Sequence, residues 1–305
     1  MKKQIFISTS TFAQFDPSPL SRLKDMGFDY ALNPLGKSVT AEEIVTFAKD
    51  AVGLIAGTEP LSGDVLKQLG SLKVISRCGV GVDNVDLKVA KELGIKVFTT
   101  PKGPTIAVAE LVVGLILNLL RNVSVMDRQV HQGQWKKSMG VLFSGKNLGI
   151  IGLGQIGKAV AKLSQSFGAK IFYYDPAVSG DEMKNYTSLS LNELLKQSDI
   201  ITLHLSSSAN THHLIKEEQF AMMKNGVYLL NCARGGVVSE DALFLAIKSG
   251  KVAGAAIDVF EKEPYHGPLQ QLEQVILTPH IGSYAKEARI QMEIDAVENL
   301  IEGFK

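Results

Sequence analysis

Cysteine is almost missing from this sequence, and neither sign of charge is in excess. Among 305 residues only Cys78 and Cys232 are cysteines. They show no CxxC or Cys/His spacing, which excludes a cysteine-based zinc site and a disulfide framework. We expect both to be reduced thiols, a state typical of the cytoplasm. Lysine and arginine number 32 against 31 aspartates and glutamates, and without a basic excess we expect no nucleic-acid partner.

Long hydrophobic runs are missing as well. The most apolar stretch, residues 111–120, lies between Glu110 and Arg121, whereas a membrane-spanning helix needs about 20 residues. We therefore predict a buried helix here and no membrane partner. At the N-terminus, the polar stretch 8–10 comes before any hydrophobic region of signal-peptide length. The sequence thus predicts neither membrane insertion nor export.

The residues that are present indicate two α/β domains. A chain of 305 residues, 45% of them hydrophobic, has the length of about two domains. Short β-branched runs alternate with helix-like segments, the pattern of βαβ units around a parallel sheet. Thr40 and Glu43 form a capping-box pattern that opens a helix, and Ser62 is placed to cap the next one. In the first hundred residues the predicted strands are 4–8, 52–56, 73–76 and 95–98.

A stretch with two prolines and a glycine, residues 99–104, marks the crossing into a second region. A long helix is predicted over 105–122, and Ser190 with Glu193 forms another capping box. The apolar spacing of 285–304 predicts a terminal helix, which we expect to return to the first domain. Two lobes joined in this way predict a ligand-binding cleft between them. The other predicted elements are the helix 155–167 and the strands 147–151, 170–175, 200–205, 227–231, 254–259 and 275–278.

A glycine-rich turn follows the first strand of the second region. Gly152, Gly154 and Gly157 form a GxGxxG pattern between the apolar run 148–151 and a helix-like segment, the order that a dinucleotide site requires. Gly152 permits the tight turn, and Gly154 lets the backbone approach a pyrophosphate. Gly157 lets the helix pack closely on the strand. The pattern predicts a dinucleotide cofactor.

An acidic residue at the end of the next strand specifies the cofactor further. The helix N-terminus at Gln155 and Ile156 offers N–H groups and a positive dipole end to the pyrophosphate. Asp175 lies 18 residues beyond Gly157, directly after the apolar run 171–174. A carboxylate at this place accepts hydrogen bonds from the adenosine ribose and repels a 2′-phosphate. We therefore predict NAD rather than NADP.

Three candidate catalytic residues each follow an apolar strand of the second region: Arg234, Glu263 and His280. The carboxyl ends of parallel strands converge on one crevice, so the three side chains can meet. Arg234 would hold a carboxylate and polarise a carbonyl, and His280 would exchange a proton near neutral pH. Glu263 would orient His280 and favour its protonated form. These roles suit hydride transfer to a 2-oxo acid without a metal. Taken singly, each residue has an ordinary alternative: a solvated arginine, a surface glutamate and a turn histidine.

The other histidines carry weaker signals. His212 and His213 lie together in a polar turn, and we predict that both are solvated. His204 lies within a strand run, where a core role and a cofactor contact are both open. His131 and His266 have no visible partner in the sequence.

Four motifs in the same order resemble the D-isomer-specific 2-hydroxyacid dehydrogenases. They are the glycine motif with Asp175, and the segments 231–236 (NCARGG), 258–264 (DVFEKEP) and 278–283 (TPHIGS). The loop 75–86 (ISRCGVGVDNVD) is similar to the substrate loop of the phosphoglycerate dehydrogenase branch. The likeness covers nearly the whole chain.

The resemblance implies an α/β architecture of two doubly wound parallel-sheet domains. A Rossmann NAD-binding domain at residues 101–282 would be inserted in a flavodoxin-like substrate-binding domain formed by residues 1–100 and 283–305. Members of the family usually form homodimers through the NAD-binding domain, which gives the apolar stretch 111–120 a possible role at that interface.

The resemblance also implies a role for each matching position. On the substrate side, Arg234 would bind the carboxylate and carbonyl, His280 would be the acid/base, and Glu263 would be its partner. Arg77 and the backbone N–H groups of Gly79, Val80 and Gly81 would also bind the substrate. On the cofactor side, Asp175 would bind the adenosine ribose and Asp258 the nicotinamide amide. The other cofactor-binding positions are Gly152, Gly154, Gln155, Ile156, Gly157, His204, Cys232 and Ala233.

Three features depart from the family pattern. Many phosphoglycerate dehydrogenases carry an arginine for the substrate phosphate where this chain has Gly57, and Glu59 adds an anion nearby, so a doubly charged phosphate is less favoured there. Pro104 stands where asparagine is common and lacks a backbone N–H. The chain ends at Lys305, so we expect a short form without the C-terminal serine-sensing domain of the longer enzymes.

The sequence therefore predicts an NAD-dependent D-2-hydroxyacid dehydrogenase. The expected pair is D-3-phosphoglycerate and 3-phosphohydroxypyruvate, in serine biosynthesis. The alternative within the family is a glyoxylate or hydroxypyruvate reductase, or a reductase of another small 2-oxo acid. From another class, an NAD(H)-sensing protein similar to transcriptional corepressors would keep the same fold and the same three residues. Catalytic turnover separates the sensor from the enzymes.

Overall fold

The computed structural model describes residues 3–178 and 185–305. Within them the chain divides into two compact units. Unit 1 contains the described residues up to Pro104 together with Ser283–Lys305, and unit 2 contains the described residues of Thr105–Gly282. The chain therefore leaves unit 1, builds unit 2, and returns.

Unit 1 is built on a five-stranded sheet whose neighbouring strands all pair in parallel. Its order, β2-β1-β3-β4-β5, is the doubly wound order of flavodoxin-like folds. The order reverses between β1 and β3, so the carboxyl ends of these strands mark the place where such a sheet binds ligands. The strands are β1 (Lys3–Ile7), β2 (Phe28–Leu32), β3 (Gly53–Ala56), β4 (Val74–Arg77) and β5 (Lys96–Thr99).

Local capping defines several helices of unit 1. The side chain of Thr40 accepts from the N–H of Glu43 and the capping box is complete, as predicted; Ser62 and Asp86 cap the next two helices. The terminal helix buries Met292 and Leu300 in one cluster with residues of β1 and β4. The helices are α1 (Ser18–Asp25), α2 (Ala41–Ala48), α3 (Gly63–Gln68), α4 (Leu87–Glu92) and the terminal α11 (Lys286–Gly303).

Unit 2 is built on a seven-stranded parallel sheet. Its order is β8-β7-β6-β9-β10-β11-β12, which is the Rossmann order with β6 as its first strand. The order reverses between β6 and β9. The strands are β6 (Asn147–Ile151), β7 (Lys170–Tyr174), β8 (Thr187–Ser188), β9 (Ile200–Leu203), β10 (Val227–Asn231), β11 (Val252–Ile257) and β12 (Val275–Leu277). The prediction of two doubly wound parallel sheets is thus confirmed.

The helices of unit 2 follow its strands in the βαβ manner. Ser190 forms the predicted capping box with Glu193. The helices are α5 (Lys102–Arg121), which begins in the last residues of unit 1, α6 (Val123–His131), α7 (Gln155–Ser166), α8 (Leu191–Gln197), α9 (Glu217–Met222) and α10 (Glu240–Lys248), with a 3₁₀ turn at Pro268–Gln271.

Helix α5 is longer than the apolar stretch 111–120, so the prediction that this region is too short to cross a membrane is wrong. It spans 20 residues, and among the described residues it is the one helix long and apolar enough to cross a membrane. Half of its most apolar window is buried, and Val112, Ile116 and Leu119 share a core cluster with strand β6. Packing, rather than length, therefore identifies it as a core helix. Pro104 lies in its first turn, where a missing N–H removes no intrahelical hydrogen bond.

Two short strands were not predicted from the sequence. Strand β2 (FDYAL) carries an aspartate and exposes its last residue at an edge of the sheet, so its apolar pattern is weak. Strand β8 has two residues, too few for a periodic signal. The predicted strands 200–205 and 254–259 also run past the observed ends of β9 and β11, because their last apolar residues belong to the loops that follow.

Candidate active site

The glycine turn of unit 2 has the geometry that its spacing predicts. Gly152 has a φ of +93°, and a Cβ there would overlap the carbonyl oxygen of His204. A Cβ on Gly157 would overlap the carbonyl oxygen of Gly152, so only glycine lets helix α7 pack this closely. Gly154, by contrast, faces open space, with no heavy atom within 4 Å of an added Cβ. The turn therefore leaves room for a ligand beside Gly154.

The N-terminus of α7 opens at the same place. Gly154 is its N-cap residue and supplies no capping side chain, and the first N–H groups of a helix have no acceptor within the helix. Gln155 and Ile156 are the first two helical residues. An anionic ligand at this position meets N–H donors and the positive end of the helix dipole. These features fit a dinucleotide pyrophosphate.

Asp175 lies directly after β7 and beside the glycine turn. Its Oδ2 accepts the backbone N–H of Leu153 at 2.7 Å, and its Oδ1 accepts that of Ala177 at 2.9 Å. A carboxylate has about four acceptor positions, so capacity remains for hydroxyl groups of a ribose. The carboxylate thus both braces the glycine turn and presents a negative charge there.

His204, Cys232 and Ala233 lie at the ends of β9 and β10. The N–H of His204 donates to Ile151 at 2.8 Å, and its Nε2 lies 3.1 Å from Thr202 Oγ1. Burial lowers the pKa of His204 to about 4, so the ring is neutral at physiological pH. Cys232 and Ala233 are buried, and burial, with the charge of Asp258, raises the pKa of the Cys232 thiol above its usual range.

The segment after β10 carries Arg234. The buried side chain of Asn231 accepts the N–H of Ala233 at 3.1 Å and donates to the carbonyl of Arg234 at 2.9 Å. The guanidinium itself donates through Nη1 to the carbonyl of Ala233 at 2.6 Å. Asn231 therefore fixes the turn that presents the arginine, a role that sequence reasoning did not assign.

His280 and Glu263 form a direct pair. The Nδ1 atom of His280 lies 3.0 Å from Oε2 of Glu263, and Oε1 of Glu263 accepts the N–H of Phe260 at 3.1 Å. Burial raises the pKa of Glu263, but the hydrogen bond and charge of His280, the Phe260 N–H and the charge of Arg234 outweigh it, so the net pKa is lowered. The carboxylate is thus ionised near neutral pH and accepts the Nδ1–H, which leaves Nε2 of His280 to exchange a proton.

Asp258 holds the segment that carries His280. Its Oδ1 accepts the hydroxyl of Thr278 at 2.6 Å and the N–H of Ile281 at 2.8 Å, and its Oδ2 accepts the N–H of Gly282 at 2.9 Å. Asp258 is 1% exposed, and burial raises its pKa. These bonds give it a structural role beside the nicotinamide contact that the resemblance implies.

The loop after β4 in unit 1 contains the expected substrate residues. The N–H of Gly79 donates to Thr100 Oγ1 at 2.8 Å, and Arg77 donates through Nη1 to the carbonyl of Cys78 at 2.5 Å. Val80 is exposed and Gly81 is half-buried. Of the three backbone N–H groups expected for substrate, that of Gly79 therefore already has a partner within unit 1.

Glu59 lies near this loop and is buried, with 3% of its surface exposed. Its Oε1 accepts the hydroxyl of Ser8 at 2.5 Å, and its two oxygens accept the N–H of Gly57 at 3.0 and 3.1 Å. Burial raises its pKa, while the hydrogen bonds and the charge of Arg77 act in the opposite direction. An acidic group thus lies at the carboxyl ends of β1 and β3.

Two of the remaining histidines have partners that the sequence did not show. His213 is not simply solvated, because its Nε2 lies 3.0 Å from Oε1 of Glu261 and its ring stacks on that of His212 at 4.1 Å. His131 lies 3.6 Å from Asp127, one helical turn away. His212 and His266 are exposed. The partner of His213 is 48 residues away in sequence, which is why a local pattern could not reveal it.

Comparison with known proteins places this chain in a family. Residues 113–282 match the model of the D-isomer specific 2-hydroxyacid dehydrogenase, NAD binding domain. The chain is 43% identical to the D-3-phosphoglycerate dehydrogenase of Methanocaldococcus jannaschii over 82% of its own length and 49% of that protein. It is 40% identical to the hydroxypyruvate reductase of Thermotoga maritima, over 81% of this chain and 82% of that protein. The chain spans about half the length of the phosphoglycerate dehydrogenases it matches.

Solved structures agree with the sequence relatives. A glyoxylate reductase from Paecilomyes thermophila covers all of this chain at 30% identity, with 96% of its own chain covered and a TM-score of 0.90. A D-lactate dehydrogenase from Aquifex aeolicus, complexed with NAD and lactic acid, covers 99% at 30% identity, with 95% of its own chain covered and a TM-score of 0.86. Residues 113–282 carry the NAD-binding domain, and the chain belongs to the D-isomer-specific 2-hydroxyacid dehydrogenase family.

Proposed function

We propose that this protein transfers a hydride between NAD(H) and a D-2-hydroxy acid/2-oxo acid pair. The observation that carries the proposal is the His280–Glu263 pair, 3.0 Å apart, with the charge of Arg234 acting on the same carboxylate. All three lie beyond the carboxyl ends of β10, β11 and β12, the edge where doubly wound sheets bind ligands.

The chemistry divides among these three side chains. NADH, when bound, supplies the hydride. Arg234 engages the substrate carboxylate with its planar fork and draws electron density from the carbonyl. His280 donates the proton from Nε2 to the carbonyl oxygen as negative charge develops there. Glu263 accepts the Nδ1–H of His280 and orients the ring, which leaves Nε2 for the proton transfer.

The cofactor would lie along the glycine turn. The N–H groups at Gln155 and Ile156 bind the pyrophosphate, and Gly154 gives it room. Asp175 accepts from the adenosine ribose and disfavours a 2′-phosphate, which makes NAD the preferred form. His204, Cys232, Ala233 and Asp258 complete the set of residues that we assign to the cofactor.

For the substrate we propose the D-3-phosphoglycerate/3-phosphohydroxypyruvate pair first, because relatives at 43% and 41% identity carry the name D-3-phosphoglycerate dehydrogenase. Arg77, Gly79, Val80 and Gly81 are the unit 1 residues that we assign to it. One observation favours a second candidate, hydroxypyruvate: Glu59 places a buried acidic group at the carboxyl ends of β1 and β3. A carboxyl group there offers a phosphate no attraction, and its ionised form repels one.

Steady-state kinetics tests the hydride-transfer function and the choice of substrate in one experiment. Phosphohydroxypyruvate, hydroxypyruvate, glyoxylate and pyruvate are compared as oxidants of NADH and of NADPH. A kcat/KM highest for phosphohydroxypyruvate supports the first substrate, and one highest for hydroxypyruvate supports the second. Glu59→Gln removes the charge and keeps one acceptor for Ser8. A rise in the phosphohydroxypyruvate rate relative to hydroxypyruvate in this variant would support the electrostatic argument.

The NAD(H)-sensing alternative has a separate signature. Such a protein binds NADH tightly, which quenches its tryptophan fluorescence or shifts the cofactor emission, and oxidises it with none of the 2-oxo acids. Measured turnover with any of them would contradict a purely sensory role.

We also propose a homodimer formed through unit 2. Apolar side chains project from residues 123–142, with Trp135 84%, Met139 94% and Leu142 70% exposed. Several large apolar side chains exposed within one segment favour a protein–protein contact there. Most apolar residues of 111–120 instead pack in the core of unit 2. Light scattering should give twice the monomer mass, and Met139→Lys with Leu142→Lys should lower it.

The proposed location is the cytoplasm, with neither nucleic acid nor membrane as a partner. Both cysteines are free and buried, as expected for a reducing compartment. Cell fractionation of the tagged protein would test this location.

A further inference from the structure

The segments that carry Arg234 and Glu263 touch through their backbones. A Cβ added to Gly235 would overlap the carbonyl of Phe260 and lie 2.9 Å from the N–H nitrogen of Glu261. Glycine is therefore required for this approach, and the contacts around Gly235 determine where Arg234 lies relative to Glu263.

Two glutamates, Glu240 and Glu261, form hydrogen bonds beside this backbone contact. The N–H of Glu261 donates to Oε1 of Glu240 at 2.8 Å, and the N–H of Glu240 lies 3.4 Å from Oε1 of Glu261. Glu240 opens helix α10, which follows the arginine segment. Burial first, and then the charges of Glu261 and Asp241, raise the pKa of Glu240. Two acidic groups held this close need a nearby donor or cation to offset their repulsion.

His213 supplies that donor and bonds to both segments. Its ring Nε2 lies 3.0 Å from Oε1 of Glu261, and its backbone N–H donates to the carbonyl of Gly236 at 2.6 Å. The residue has a left-handed backbone, with φ at +46°, a conformation that costs energy for a residue other than glycine and persists where the surroundings require it.

We propose that His213 is a positioning residue, which holds the Glu261–Glu263 segment against the Arg234–Gly236 segment and so fixes the arginine relative to the His280–Glu263 pair. The proposal rests on the proposed function for its catalytic readout. It requires no contact between His213 and substrate. Because a displacement of about 1 Å in a catalytic group can cost about 10²-fold in rate, loss of this link should be visible in kinetics.

The test compares three variants with the wild type. His213→Ala removes the ring, and His213→Gln restores an amide donor near the position of Nε2. Both carry the same backbone strain at +46°, so their difference isolates the hydrogen bond. His212→Ala is the matched control, because His212 stacks on His213 and, among the described contacts, makes no hydrogen bond to Glu261. Rates are expressed per NADH-binding site, which removes any loss of folded protein.

We expect His213→Ala to lower kcat/KM by about 10–100-fold, with KM for the 2-oxo acid raised and kcat lowered. The NADH dissociation constant should not change, since the glycine turn and Asp175 are untouched. His213→Gln should recover to within about threefold of the wild type, and His212→Ala should match it. The proposal would be overturned if His213→Ala had the wild-type kcat and KM per site. It would also be overturned if His213→Ala and His213→Gln lowered kcat/KM equally.

Hydrogen–deuterium exchange keeps this test separate from the proposed function. In His213→Ala, peptides covering 234–240 and 258–264 should exchange faster, while peptides of the glycine turn should not. Unchanged exchange in the two segments would overturn the positioning role. A wild-type protein that turns over none of the 2-oxo acids would instead end the proposed function, and the exchange result would still decide whether His213 joins the segments.

Discussion

Nδ1 of His280 lies 3.0 Å from Oε2 of Glu263, although the two residues are 17 positions apart and follow different strands. His280 holds a left-handed backbone with φ at +54°. This conformation is uncommon for residues other than glycine, although asparagine, aspartate and histidine adopt it more often than the rest. His280 lies within the segment Thr278–Gly282, which Asp258 binds through three hydrogen bonds.

Replacing His280 should abolish the proton donor without disturbing the cofactor. We expect His280→Asn, which tolerates the left-handed backbone, to lower kcat by about 10²–10⁴. The NADH dissociation constant, measured by fluorescence titration, should stay near the wild-type value. His280→Ala should lower kcat by a similar factor. Wild-type turnover in either variant would remove His280 from the mechanism.

Arg234→Lys should be severe although the charge is kept. A lysine ammonium cannot engage a carboxylate through two parallel N–H groups, nor reproduce the bond of Nη1 to the Ala233 carbonyl. We expect kcat/KM for the preferred 2-oxo acid to fall by about 10²–10³-fold. An unchanged kcat/KM would contradict the role assigned to the guanidinium.

Asp175 has two roles that different substitutions separate. Asp175→Asn keeps an oxygen for the Leu153 N–H and removes the charge that repels a 2′-phosphate. The ratio of kcat/KM for NADH over NADPH should therefore fall. Stability should change little, because the N–H of Ala177, which loses its acceptor, is exposed to water. Asp175→Ala should lower the ratio and also weaken NADH binding, because the glycine turn loses its brace. A ratio unaltered in both variants would assign cofactor choice elsewhere.

Asp258→Asn should loosen the His280 segment. The amide end of the new side chain cannot accept from one of the three donors that the carboxylate serves. Leaving one of these buried donors unpaired costs about 1–3 kcal/mol, which denaturant unfolding would detect. We also expect kcat to fall. Wild-type stability would show that the three bonds contribute little.

His204 should make stability fall at acid pH. Burial lowers its pKa to about 4 from a usual 6.5. Between these values the unfolded chain binds a proton that the folded chain does not, so the free energy of unfolding decreases as the pH falls from about 6.5 towards 4. His204→Asn should show a smaller decrease between pH 7 and pH 5. Equal slopes in the two proteins would contradict a neutral His204 ring in the folded protein.

Much of the fold could be predicted from local patterns. Thr40 and Ser190 cap helices because their hydroxyls accept N–H groups three residues on, a relation that sequence spacing displays. Strand β6 was predicted with its observed ends. Strand β2 was missed because an edge strand buries little and needs little apolar pattern.

The residue types of the candidate site could be predicted from the sequence, but the hydrogen bonds that connect them could not. Arg234, Glu263 and His280 follow strands, and parallel strands bring their ends together. Thr278 donates to the side chain of Asp258, and Glu261 exchanges hydrogen bonds with Glu240, so both act on segments far away in the chain. No spacing rule reports such contacts, because they depend on how loops of different lengths fold back.

Local sequence patterns alone predict the two parallel sheets, the glycine turn with its acidic partner, and the three residue types that suit hydride transfer. These follow from periodicity, capping and turn chemistry, all of which act over a few neighbouring residues. Three features emerge only when the chain folds: helix α5 packs as a core helix, Asp258 binds the histidine segment, and His213 forms hydrogen bonds to the segments that carry Arg234 and Glu263. Those outcomes depend on packing and hydrogen bonds between residues far apart in the chain, whose energies exist only once the strands have assembled.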